Sequence, residues 1–194
     1  ELVDGFRNIL PAGTPRFAQT NTSNLVDAYK WTELVEDEGL ALYTLYSGIT
    51  DRAEPCESLK ATTVFCLGLP EHKVLLSQAK LEQFRRGLPL TQEAHTRGIR
   101  GDYLVNASLS LAPQASHQWQ LVAEVEQSQA QVVSLLHELR DREALAKTID
   151  ESVERGSDEL ARIMGGADAF QRTAEETVST HHYANVLYNV LRGG

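Results

Sequence analysis

The hydrophobic period of this chain changes once, near Gln127, and that change limits what it can fold into. Before Gln127 apolar residues tend to recur at every second position, the spacing of a strand; after it they recur every three or four, the spacing of an amphipathic helix. Tyr103, Val105, Ala107, Leu109 and Leu111 share a face, with Asn106, Ser108 and Ser110 opposite. After the polar link Pro113–Gln118, Trp119, Leu121, Ala123 and Val125 share a face, against Gln120, Glu124 and Glu126. The pair reads as a hairpin with one side on a core and the other in water. Beyond Gln127, Val132, Val133, Leu135, Leu136 and Leu139 form the stripe of a helix that Ser128 can cap. Leu145, Ile149, Val153, Leu160, Ile163 and Met164 continue that spacing, with Gly165-Gly166 as a stop. Phe170, Ala174, Val178, Val186, Leu187, Val190 and Leu191 mark a final helical region, with His181 as the place for a break. Strands followed by helices predict an α+β chain: an antiparallel β-sandwich over residues 1–126 and a helical linker region over 127–194.

Three earlier strands complete that expectation. Leu25–Val35 alternates, with Leu25, Asp27, Tyr29, Trp31 and Glu33 on one face and Val26, Ala28, Lys30, Thr32 and Leu34 on the other. The turn Glu36-Asp37-Glu38-Gly39 joins it to Leu40–Tyr46, which is apolar on both faces, as at the centre of two packed sheets. Lys60–Leu69, rich in β-branched and aromatic residues, is a further strand. Ser77–Gly87 reads as a short helix ended by Gly87, and Leu88–Gly101 as a loop.

Charge and composition exclude some functions. A net charge of -9 argues against nucleic acid, and the tightest basic pair is Arg85-Arg86. No apolar run approaches the roughly 20 residues a membrane helix needs, so no membrane partner is expected. Cys56 and Cys66 are too few for a disulfide scaffold; Cys66 sits in an apolar run and reads as core, which fits a reducing, cytoplasmic setting. The chain opens on Glu1, has Met164 as its single methionine and stops after a helical pattern, so an internal piece of a larger protein is expected.

Each group that could carry chemistry has a structural reading. His181 and His182 are adjacent, so on a helix they point about 100° apart and cannot share a metal; one packed and one exposed is the expectation. Asp51-Arg52-Ala53-Glu54 follows a strand and reads as a loop whose side chains bond their own backbone. Tyr29, Trp31, Tyr43 and Tyr46 could stack on sugar faces, but at strand spacing the core reading is stronger. The final Leu191-Arg192-Gly193-Gly194 matches the tail of ubiquitin-like modifiers but follows a helical pattern, not a β-grasp strand. No catalytic constellation, cofactor loop or zinc spacing is present, so no catalytic, cofactor or metal residue is assigned.

Four segments together resemble a known family: Asn24–Lys30, Gly39–Tyr43 leading to Asp51–Pro55, Gly98–Val105, and Ser179–Gly194. They are similar to framework segments of large bacterial proteins related to the cellobiose and chitobiose phosphorylases and the cyclic β-glucan synthases. The resemblance implies a galactose-mutarotase-like sandwich and a helical linker, which in that family precede a barrel of paired helices carrying the general acid and phosphate site. It therefore implies a non-catalytic fragment of a carbohydrate-active enzyme, with the helical barrel, a carbohydrate and a second copy of the chain as partners. Two other readings stand beside it: a carbohydrate-binding module resting on Tyr29, Trp31 and Tyr46, and an interaction or oligomerisation domain resting on the C-terminal apolar stripes.

Overall fold

The computed structural model describes residues 1–47, 59–166 and 174–191. The chain divides into two compact units, Glu1–Arg142 and Glu143–Gly194. The first holds β1 (Leu2–Ile9), α1 (Arg16–Asn21), α2 (Ser23–Ala28), β2 (Lys30–Val35), β3 (Leu40–Leu45), β4 (Lys60–Leu67), β5 (Lys73–Leu75), α3 (Ala79–Arg85), β6 (His95–Arg97), β7 (Gly101–Ala107), β8 (Gln120–Ser128) and α4 (Gln129–Glu138). All strand pairs are antiparallel, in a three-stranded sheet ordered β1-β7-β5 and a five-stranded sheet ordered β6-β2-β3-β4-β8. The class is α+β.

One core joins the two sheets. Leu34, Ala41, Tyr43, Val64 and Cys66 of the larger sheet pack with Val74, Tyr103, Val105 and Ala107 of the smaller. β3 is the middle strand of five, as its two apolar faces suggest: Leu40, Ala41, Tyr43 and Leu45 are buried, and Leu42 and Thr44 half-buried. β4 is buried from Ala61 to Leu67, because α4 packs on β4 and β8. Ser128 caps α4 through a reciprocal pair of bonds with Gln131, satisfying donors that an uncapped first turn leaves open. A second cluster, Leu75, Leu90 and Leu104 with Val3, Leu81 and Phe84, covers the other face of the three-stranded sheet. Gly87, with φ of +66°, follows α3 as the sequence predicts.

Several sequence expectations are corrected. Tyr103–Leu111 and Trp119–Val125 do not form a hairpin: β7 lies between β1 and β5, while β8 pairs with β4 in the other sheet. Alternation specifies faces, not partners, and the link between these strands carries the chain from one sheet to the other. β7 also does not meet water; all its residues are buried, the second face lying under the Leu75 cluster. Leu25–Tyr29 is not strand but mostly helix, in which only Val26 is deeply buried. That helical turn lets the Asp27 carboxylate reach Lys30 Nζ at 2.8 Å, a contact an extended segment would separate. The stretch Leu88–Gly101 is not wholly loop, since β6 pairs with β2 there.

The second unit holds α5 beyond its first residue, Arg142, and α6; these helices run Arg142–Gly166 and Glu176–Leu191. α6 passes through His181 unbroken, because no Gly or Pro interrupts it and the buried Ser179 and Tyr183 stand four apart on one face.

Candidate functional site

Directly opposed residues of neighbouring strands project to the same side of a sheet. Trp31 opposes Arg97 across β2 and β6, Glu33 opposes His95, and Trp31 opposes Thr44 across β2 and β3. Since Lys30, Thr32 and Leu34 are the buried set of β2, Trp31, Glu33, His95, Arg97 and Thr44 all lie on the outer face. There the indole of Trp31 stacks on the imidazole of His95, with centroids 5.9 Å apart and planes 13° from parallel. The Arg97 guanidinium lies 5.3 Å from the Tyr46 ring centroid, and that ring is 71% exposed. Tyr46 is held by its own N–H, which donates to Tyr29 O at 2.6 Å. The result is two aromatic faces fringed by N–H and O–H donors and by the exposed Glu33 carboxylate.

The four aromatic residues therefore separate. Tyr43 is core, as expected for all of them; Trp31 and Tyr29 are half-buried and Tyr46 is exposed. Tyr43 donates its hydroxyl to Asp102 O at 2.7 Å, and burial holds its phenol well above the ordinary value. His181 is exposed on the wall of a cleft of about 510 Å³ between α5 and α6 that Glu154 and Asp158 also line. His182 is half-buried and meets the Tyr183 ring edge-on at 6.0 Å, so the adjacent pair diverges as its helical spacing requires. Among the described residues, no group of three or more His, Cys, Asp or Glu side chains could hold a metal ion. Cys66 is buried, and burial lifts its thiol to about 11. Asp51–Glu54, Cys56 and Arg192–Gly194 lie outside the described residues.

Two carboxylates, Glu93 half-buried and Asp102 buried, escaped the sequence reading. Glu93 accepts from Leu76 N at 2.7 Å, Ser77 N at 2.9 Å and Ser77 Oγ at 2.9 Å, which fastens the end of β5 to the chain before β6. Asp102, fully buried, accepts from Asn8 N at 2.9 Å through Oδ1, while among the described residues its buried Oδ2 has no hydrogen-bond partner. Burial raises the Asp102 carboxyl; the Asn8 N–H and Arg7 lower it, and Glu93 raises it again. The signal in the sequence is one acidic residue inside an apolar strand, Gly101-Asp102-Tyr103.

That shift has a sign. A carboxyl raised in the folded state contributes stability below its unfolded value of about 3.9 and loses it as pH rises through the folded value. Asp102→Asn carries no such proton, so its stability relative to the parent chain is expected to rise with pH over that interval and then level. Urea unfolding of both chains from about pH 3 to about pH 8 checks this; a flat difference would mean that the fold does not shift the carboxyl, and a falling one that it favours the carboxylate.

A scan against protein-family models gives no match to this chain, and a search of curated proteins gives none either.

Proposed function

We propose that this chain is a non-catalytic β-sandwich and linker portion of a carbohydrate-active enzyme of the glycoside phosphorylase or hydrolase type. In this reading the two sheets are the galactose-mutarotase-like sandwich, and the chain supports a helical-barrel catalytic domain. One observation carries it: several polar side chains inside the first unit are tied to backbone. Tyr43 donates to Asp102 O, Tyr103 to Gly39 O at 2.8 Å, and Thr62 to Leu10 O at 2.8 Å. Glu93 receives two backbone N–H groups, and Arg142 donates to Cys66 O at 2.9 Å and to Glu38 O. A general acid or nucleophile must face a ligand with its protonation state free to change. Groups bonded to main chain instead fix strands and loops, which is the work of a support. The similarity of four segments to the phosphorylase and glucan-synthase framework supplies the carbohydrate part of the reading.

The test is turnover. Incubated with cellobiose or chitobiose, with and without inorganic phosphate, the chain is expected to release no sugar or sugar phosphate above a protein-free control. Release proportional to protein concentration overturns the proposal.

A further inference from the structure

We draw no further inference here: the strongest candidate, the groove of about 420 Å³ between α4 and strands β3 and β4 that Leu42, Ala61, Val132 and Val133 line, carries nothing because nothing in the structure shows what covers it.

Discussion

Gly5→Ala is expected to destabilise the first unit by about 3 kcal/mol or more. Gly5 lies in β1 opposite Leu104 of β7, with φ of +150°, a region that side chains rarely enter. A Cβ there would stand 2.0 Å from Tyr103 O and 2.8 Å from Leu104 Cα. Those atoms are backbone, so no rotamer change relieves the overlap, and β1 must separate from β7. Among the described residues β1 is an edge strand that pairs with β7 alone, so separation leaves it no alternative pairing there. It also removes the Asn8 N–H from Asp102 Oδ1 and leaves a buried carboxylate with less support. Urea unfolding measures the loss. Hydrogen exchange places it: amides of β1 and of the β7 residues facing it are expected to lose protection before those of β3 and β4. A loss under about 1 kcal/mol would mean that β1 does not lie on β7 in this register.

How much of this was visible in the residues depends on the kind of signal. β3 read correctly because a strand buried on both sides is apolar on both faces, whatever its neighbours are, and β4 because it is rich in β-branched and aromatic residues. The α4 cap read correctly because Ser128 and Gln131 act within one turn. Partnership did not read. The supposed hairpin after Tyr103 failed because alternation is the same for a strand paired to its neighbour in sequence and for one paired across the molecule. β6, three residues long, is too short to show any period. Which face of β2 turns inward was also hidden. Hydropathy would send Trp31 and Val35 to the core and Lys30 to water, yet Lys30 is 2% exposed because Asp27 and Gln19 take its ammonium. That inversion is what leaves Trp31 on the outer face and creates the candidate site. Asp102 and Glu93 acquire their roles from segments far away in the chain, so no local pattern announces them.

The second large effect tests the junction between the sheets. Tyr43 is fully buried among residues of both, and its hydroxyl crosses to Asp102 O. Tyr43→Ala is expected to cost about 3–5 kcal/mol, the loss of ring packing plus the void it leaves. Tyr43→Phe keeps the ring and is expected to cost only about 1 kcal/mol, the hydrogen bond alone. The space for that ring is made by Gly101, where an added Cβ would stand 2.6 Å from Tyr43 Cε1 and 2.7 Å from Cδ1. The two positions are therefore coupled. Gly101→Ala in the parent chain forces the ring or the strand to move, at about 1–3 kcal/mol. In a Tyr43→Ala chain the same methyl group enters vacated volume, with Thr32 Oγ1 at 2.9 Å as its remaining close neighbour. The double variant is expected to be more stable than the sum of the single losses allows, by about 1 kcal/mol or more. Losses that add within about 0.5 kcal/mol would show that Tyr43 and Gly101 do not meet. The contact that locks the five-stranded sheet to the three-stranded one would then have to be sought at Tyr103 and its bond to Gly39 O instead.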